Sequence, residues 1–288
     1  MLKKPVVNWP ALFFAIGFLS LVGCAPARSV PLAELRSLSE GATARFVSPS
    51  SVGNAEAYLV RPRGAGPFPL MLLLHGHSWV GAGAKRVLPA ADLFARELCF
   101  AGLAVSLPGY GDTEVEAGPL AEATRQVVLD AVATAKQLSW IDGDRLYVYG
   151  FSRGAVIAAA LINEMDGVKG ALLHSGAYDL PRLYRDSSSF WMRQLLNPDG
   201  EAEPKLYNLL PEVSSWQSST LILHGAQDKF IPVTQATLLR DQLQNFAKPH
   251  RFVLFPNRGH WLSIREIKDP AVQFLKENGG GSCPANDP

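Results

Sequence analysis

The chain has 288 residues, 48% of them hydrophobic, and 27 basic against 26 acidic residues give it a formal net charge of +1. This length and apolar content suit a single well-filled core and leave little room for a second complete domain. No basic segment offers the charge that a phosphate backbone requires, so nucleic acid is not an expected partner.

The first 24 residues carry the features of an export signal in the expected order. Lys3 and Lys4 precede an apolar stretch from Pro5 to Gly23, and Cys24 follows directly. The ending Leu-Val-Gly-Cys resembles a bacterial lipobox, which implies a signal peptide over residues 1–23 and acylation of Cys24. Two interpretations stay open beside it: an ordinary signal peptide with an incidental cysteine, and an uncleaved anchor. The strongly apolar run from Ala11 is shorter than the ~20 residues of a spanning helix.

A lipidated Cys24 predicts an exported protein that is anchored to a membrane of the bacterial cell envelope and faces the periplasm or the cell surface. Ala25 stands where the resemblance associates an aspartate with retention in the inner membrane. In a two-membrane bacterium this favours the outer membrane.

The two remaining cysteines lie in different surroundings. Cys99 falls in an apolar helical stretch and is expected to be buried as a small hydrophobic residue, not bonded in a disulfide. Cys283 lies in a Gly-rich tail, predicted to be flexible over residues 279–288. Export would permit a bond between them, so their pairing stays open.

Strand and helix patterns alternate between residues 43 and 278, after a tether predicted over 24–42 with a short possible helix at 32–38. Two strands of mixed polarity, at 44–48 and 55–61, are typical of an antiparallel edge. Continuous apolar runs suit strands that are covered on both faces. These runs are 70–74, 103–107, 146–149, 171–173, 221–223 and 252–255, and the predicted helices are 90–101, 120–138, 154–165, 234–246 and 269–278.

This alternation predicts an α/β fold, with a mainly parallel, doubly wound sheet and helices on both faces. The interval 176–219 interrupts the pattern and holds the apolar patch Phe190-Trp191-Met192. We expect it to form a small cap over the carboxyl ends of the strands, where such sheets bind ligands. Its aromatic residues, Trp216 included, suit an apolar acyl or aromatic group, or simply the packing of the cap.

The most informative segment is Gly150-Phe151-Ser152-Arg153-Gly154, between an apolar strand and a helix of small residues. In a G-x-S-x-G motif the serine occupies a strained turn, and both glycines must lack bulk so that strand and helix can approach. This turn lifts the Ser152 hydroxyl above the sheet and directs the Arg153 amide, at a helix start, toward a developing oxyanion. The context predicts a nucleophile, and a tight turn without catalysis is the alternative.

Serine needs a base, and the base needs a group that fixes its tautomer. Asp228 follows the apolar run 221–223, and His260 follows the run 252–255. The chain order Ser, Asp, His is the one that this kind of sheet uses. We therefore expect Ser152 as nucleophile, His260 as base and Asp228 as the orienting acid.

Four segments carry a family resemblance, namely 72–77, 150–154, 224–232 and 259–260. Together they resemble the α/β-hydrolase superfamily, most closely the catalytic domain of prolyl oligopeptidases and the dienelactone-hydrolase-like esterases. The resemblance spans about residues 55–277 and implies an oxyanion donor after the third strand, which maps onto the amide of His77, with Ser78 as second choice. Ala155 replaces a glycine common in the peptidases, and no propeller-forming segment precedes the domain. Both departures count against peptidase activity more than against hydrolysis.

Other polar residues have simpler explanations. His75 and His224 are expected to pack or hydrogen-bond locally at strand ends. The Arg153 guanidinium suits either a substrate carboxylate or an ion pair on the helix surface. Asp112, in a Gly-rich loop, suits a turn or the lining of the site. No Cys/His cluster or dense group of carboxylates has metal-ligand spacing, so neither a metal nor a cofactor is expected.

The sequence thus predicts a serine hydrolase that cleaves small carboxylic esters at the cell envelope. One alternative is a serine peptidase of the prolyl oligopeptidase type that acts on short peptides. Another is a binding lipoprotein that has the fold without the reaction. Oligomeric state cannot be inferred from these residues.

Overall fold

The computed structural model describes residues 29–118, 120–197, 200–202, 206–281 and 283. The predicted signal peptide and Cys24 lie outside the described residues. Within these ranges, no helix combines the length and the apolar character needed to cross a bilayer.

A single sheet runs through the described part of the chain. Its strands are β1 (Thr43–Ser48), β2 (Ala55–Val60), β3 (Phe68–Leu74), β4 (Ala101–Val105), β5 (Ile141–Phe151), β6 (Val168–His174), β7 (Ser219–Gly225) and β8 (His250–Phe255). Their order in space is β1-β2-β4-β3-β5-β6-β7-β8. β2 pairs antiparallel with both β1 and β4, and every other neighbouring pair is parallel. The predicted mainly parallel sheet with an antiparallel edge is confirmed.

Helices cover both faces of this sheet. Those described are α1 (Leu88–Leu98), α2 (Glu122–Lys136), α3 (Arg153–Leu161), α4 (Leu180–Asp186), α5 (Phe190–Leu196), α6 (Thr234–Asn245) and α7 (Ile264–Glu277). α1 and α7 pack on one face, and α2, α3 and α6 pack on the other. α4 and α5 belong to the segment predicted as a cap and contact each other.

The central strand β3 shows why the sequence has continuous apolar runs. Leu70, Leu72 and Leu74 contribute to the core beneath α2, α3 and α6, whereas Met71 and Leu73 contribute to the core beneath α1 and α7. Successive side chains of a strand point to opposite faces, so a strand covered on both faces must be apolar at every position. All seven residues of β3 are buried.

Two elements begin earlier than their sequence patterns indicate. β5 starts at Ile141 and includes polar residues that lie ahead of the apolar run at 146–149. α7 starts at Ile264, where Ser263 and Glu266 form a capping box, and it continues through Pro270. The capping box is a recognisable sequence signal for this helix start.

Part of the segment predicted as a tether packs on the domain. A 3₁₀ helix spans Leu32–Ser37, and Leu35 is 1% exposed. The indole N–H of Trp140 donates a hydrogen bond of 3.0 Å to the Leu35 carbonyl. Ser29 also bridges to Arg45 of β1, so the ordered domain begins ahead of residue 43.

The expectation that Cys99 is unpaired is wrong, because the structure bonds it to Cys283. Cys99 is buried as expected, at the carboxyl end of α1. The bond joins residues 184 positions apart and fixes Cys283 of the predicted flexible tail to the domain. Spacing along the chain could not reveal this proximity, since it arises from the packing of α1 against α7.

Substitution of Cys283 by serine is expected to lower the free energy of unfolding by about 2–4 kcal/mol, because the bond restricts the unfolded chain. Urea unfolding of the oxidised protein and the variant measures this difference. Reduced wild-type protein is the matched control and should unfold like the variant. Equal stability of variant and oxidised wild type would contradict the predicted contribution.

The glycines of the G-x-S-x-G motif lie where backbone segments touch. A Cβ on Gly154 would overlap the carbonyl oxygen of Leu74 and lie 2.8 Å from that of His75. A Cβ on Gly150 would overlap the Gly154 carbonyl and lie 2.6 Å from the Cα of Ala155. The motif therefore allows the close contact of α3 with β5 and with the end of β3.

Gly154→Ala should destabilise the fold by about 1–3 kcal/mol, since the neighbouring atoms are backbone and cannot rotate away. Thermal or urea unfolding would show the loss. Gly118→Ala is the matched control, because a Cβ there meets open space. If both variants unfold with the same midpoint, the packing argument is wrong.

Candidate active site

Ser152 occupies a strained backbone conformation between β5 and α3. Its φ is 54° and its ψ is −117°, in the left-handed half of φ space that non-glycine residues rarely adopt. Its N–H donates a hydrogen bond of 2.8 Å to the His174 carbonyl at the end of β6. The turn predicted from the motif is thus present, and neighbouring backbone holds it in place.

The three side chains predicted to form a triad are joined by hydrogen bonds. Ser152 Oγ lies 2.9 Å from His260 Nε2, and His260 Nδ1 lies 2.7 Å from Asp228 Oδ2. The carboxylate accepts the Nδ1 proton, which leaves Nε2 as the acceptor for the Ser152 hydroxyl. This arrangement gives His260 the tautomer that a general base requires.

Asp228 is fixed by the backbone that follows it. Its Oδ1 accepts the N–H groups of Phe230, at 2.8 Å, and Ile231, at 2.9 Å. The nearby His224 Nε2 lies 2.9 Å from the Ile231 carbonyl, so that ring nitrogen donates to the backbone, as expected for a local hydrogen bond. Burial lowers the pKa of His224 and keeps its imidazole neutral beside the triad.

The segment after β3 runs beside the serine. A Cβ on Gly76 would lie 3.1 Å from the Cβ of Ser152, so the next residue, His77, is adjacent to the nucleophile turn. Among the described residues, no backbone or side-chain acceptor receives the amide N–H of His77 or of Arg153. Ser78, the second choice for this donor, accepts the N–H of Ala82 at 3.1 Å through its Oγ, and its own amide likewise donates to no acceptor there.

His75 joins two loops. Its Nε2 accepts the Leu107 N–H at 3.0 Å, so Nδ1 carries the proton and donates to the Gly76 carbonyl at 2.8 Å. Burial lowers its pKa to about 4, and the imidazole is neutral at pH 7. This local bonding role is the one expected from the sequence.

Ser175 contributes to the site although its sequence position gave no signal. Its φ is 51°, and its Oγ donates a hydrogen bond of 3.0 Å to the His260 carbonyl. Its N–H donates to the Leu223 carbonyl at 2.8 Å. Ser175 thus connects the ends of β6 and β7 with the loop that holds His260.

Tyr110 is a second residue that the sequence did not single out. Its hydroxyl bonds to Nδ1 of His77 and accepts Nη1 of Arg153 at 3.1 Å. Asp112 in the same loop is exposed and pairs with Arg45, and it is not among the residues that line the cavity. The structure therefore favours a role of Asp112 within its own loop over a role in lining the site.

A cavity of about 240 Å³ opens above Ser152 and His260. Helices α4 and α5, in the segment predicted as a cap, contribute an apolar wall. Exposed aromatic side chains stand at the cavity: Trp79 at 74%, Trp191 at 57%, Phe230 at 47% and Trp261 at 58% exposure. The lining residues of the apolar wall include Leu180, Leu183, Trp191, Met192, Leu195 and Leu196.

Comparison with curated proteins finds distant relatives, two of which are much longer than this chain. Dipeptidyl-peptidase 5 of Porphyromonas gingivalis is 25% identical over 167 residues, which cover 54% of this chain and 24% of that protein. The uncharacterised peptidase YuxL of Bacillus subtilis is 27% identical over 271 residues, which cover 82% of this chain and 40% of that protein. The chain thus spans less than half the length of either relative.

Solved structures share the fold. The acylaminoacyl peptidase of Pyrococcus horikoshii matches with a TM-score of 0.70 and 17% identity over 86% of this chain and 43% of its own. An esterase of Pyrococcus furiosus matches with a TM-score of 0.67 and 15% identity over 88% and 99%. A putative dienelactone hydrolase of Klebsiella pneumoniae matches with a TM-score of 0.62 and 17% identity over 82% and 97%. These identities show the α/β-hydrolase fold and no more.

The model of the prolyl oligopeptidase family matches residues 120–280. This range is more than half of the chain and contains Ser152, Asp228 and His260. The chain therefore belongs to the prolyl oligopeptidase family of serine hydrolases.

Proposed function

We propose that the chain cleaves carboxylic esters by acyl transfer to water. The observation that supports this best is the hydrogen-bonded series from Ser152 through His260 to Asp228, beside an apolar cavity. A binding protein would have no need for all three groups in this order and tautomer.

In the proposed reaction, Ser152 Oγ attacks the carbonyl carbon while His260 Nε2 accepts the hydroxyl proton. Asp228 stabilises the imidazolium, and the amides of His77 and Arg153 donate to the tetrahedral oxyanion. His260 then gives the proton to the leaving oxygen, which departs as an alcohol. Water repeats the sequence on the acyl-enzyme, which releases the acid and restores Ser152.

The polar groups that line the cavity are mainly hydrogen-bond donors, and this favours an ester over a peptide as the substrate. Besides Ser152 and His260, the polar lining consists of His77, the donors Arg86 and Arg153 and the hydroxyl of Ser189, while most other lining residues are apolar. An ester presents acceptors only, whereas the N–H groups of a peptide would need acceptors that this lining scarcely provides. The alternative, cleavage of small peptides, is favoured by the family and by the peptidase names of the relatives.

A fluorophosphonate probe tests for an activated serine. We expect an adduct on Ser152 and its loss in both Ser152→Ala and His260→Ala. With 4-nitrophenyl butyrate as substrate, Ser152→Ala should lower turnover by up to about 10⁶-fold and Asp228→Ala by about 10⁴-fold. Ser214→Ala, an exposed serine distant in sequence from the motif, is the control and should label and turn over like wild type.

A folded wild-type protein that never labels would overturn the proposal and support a binding protein instead. If labelling succeeds, kcat/KM for the butyrate ester is compared with that for alanyl and prolyl 4-nitroanilides. Preference for the anilides would replace the esterase assignment with the peptidase alternative.

We further propose that the protein is exported and held at the cell envelope by lipid on Cys24. The disulfide between Cys99 and Cys283 supports an oxidising compartment, since such bonds are rare in the cytosol. A diacylglyceryl group with a further acyl chain would anchor the protein stably.

Cys24→Ala should abolish incorporation of labelled palmitate and move the protein out of the detergent phase in a Triton X-114 partition. Cys283→Ser is the control for loss of a thiol and should remain in the detergent phase. Incorporation of label into Cys24→Ala, or an aqueous wild-type protein, would refute the anchor.

A further inference from the structure

One wall of the cavity is cationic. Arg86 and Arg153 line it together with His77, while residues of α4 and α5 contribute apolar lining. Arg86 Nη1 donates to the His77 carbonyl at 3.0 Å, and Arg153 Nη1 donates to the Tyr110 hydroxyl at 3.1 Å. Both guanidinium groups are therefore held beside the segment that carries the proposed oxyanion amides.

Neither guanidinium has a carboxylate partner within the described residues. Arg86 and Arg153 are absent from all ion pairs found there. The acids of the adjoining loop and strand, Asp112 and Glu56, are both engaged by Arg45. The surface ion pair considered for Arg153 from the sequence is thus not what the structure shows.

Arg153 is only partly exposed, and its Nε–H is buried without an acceptor among the described residues. Its guanidinium lies 5.4 Å from the centroid of the Tyr110 ring, which provides a weak cation–π contact. A permanently charged group that is partly desolvated, with no anion beside it, is costly. A bound anion would remove much of that cost.

The neighbouring side chain of His77 adds no charge to this wall. Burial, with added repulsion from Arg153 and Arg86, lowers the pKa of His77. His77 is therefore neutral at pH 7, and the two arginines remain the charged groups of this wall. Neither guanidinium is paired with a carboxylate among the described residues, and both line the same cavity as Ser152.

We infer that the substrate of this site carries a carboxylate, which binds to Arg153 with Arg86 beside it, while its carbon chain or ring lies against the cap helices. This inference rests on the proposed serine hydrolase function and assigns its substrate class: esters whose acyl or leaving part bears a carboxylate. Guanidinium is well matched to carboxylate because it donates parallel hydrogen bonds. The lining pairs one cationic wall with one apolar wall, as such an amphiphilic substrate requires.

Two matched pairs of esters test this. Monoethyl adipate against ethyl hexanoate places the charge in the acyl part, and 4-carboxyphenyl butyrate against its 4-methoxycarbonyl analogue places it in the leaving part. For at least one pair, the ratio of kcat/KM for the charged ester to that for the neutral ester should fall by about tenfold to a hundredfold in Arg153→Met. Use of the ratio cancels any general effect of the variant on turnover.

Arg153→Lys should retain part of the preference, since the charge is kept but the planar fork is lost. Arg96→Met, which removes an exposed guanidinium paired with Asp92 on α1, should leave both ratios unchanged. If the ratios in Arg153→Met and wild type agree for both pairs, the carboxylate inference is overturned while the hydrolase function stands.

If wild-type protein cleaves none of the four esters, the proposal that it cleaves esters fails separately, and binding decides the carboxylate inference. Calorimetric titration of Ser152→Ala and of Ser152→Ala combined with Arg153→Met, with the same charged and neutral esters, then provides the readout. Tighter binding of a charged ester that depends on Arg153 supports the carboxylate site. Equal binding of charged and neutral esters overturns it.

Discussion

The contact of Gly154 with the end of β3 is the constraint on which the site depends. Because residue 154 has no side chain, the first turn of α3 lies directly against the carbonyl groups of Leu74 and His75. The same approach brings Gly76 beside Ser152 and leaves the next amide, that of His77, close to the nucleophile. Strain at Ser152, with φ of 54°, is tolerated because strand, helix and loop are packed around it.

Hydrogen bonds between residues at or just past the strand ends connect the loops that hold the site. Ser152 is bound to the carbonyl of His174, and Ser175 is bound both to Leu223 and to the carbonyl of His260. Loops that are usually mobile are thereby joined to a rigid sheet at the positions where the triad emerges. The three groups of the proposed triad are held before a substrate arrives, which is what the proposed reaction requires.

Sequence patterns predict the parallel sheet and the three triad positions because both depend on short-range features: apolar runs, a glycine-bracketed serine, and residues just past strand ends. They miss Tyr110 and Ser175, whose roles depend on which loops meet in space. The bond between Cys99 and Cys283 was missed for the same reason, since the packing of α1 against α7 places the two cysteines together. The start of α7 at Ile264 could be recognised from the Ser263–Glu266 capping box. Pro270 argued against it, because proline usually interrupts a helix.

The histidines differ in burial and in hydrogen-bond partners, and these differences separate His260 from the others. Of the six in the chain, His75, His77, His174 and His224 have pKa values lowered chiefly by burial, which brings the pKa of His174 to about 3. Their side chains hydrogen-bond to backbone groups or to tyrosine hydroxyls. His260 alone among the described histidines combines a carboxylate on one ring nitrogen with a serine hydroxyl on the other. With those four imidazoles neutral at pH 7, Arg86 and Arg153 are the fixed positive charges of the cavity lining.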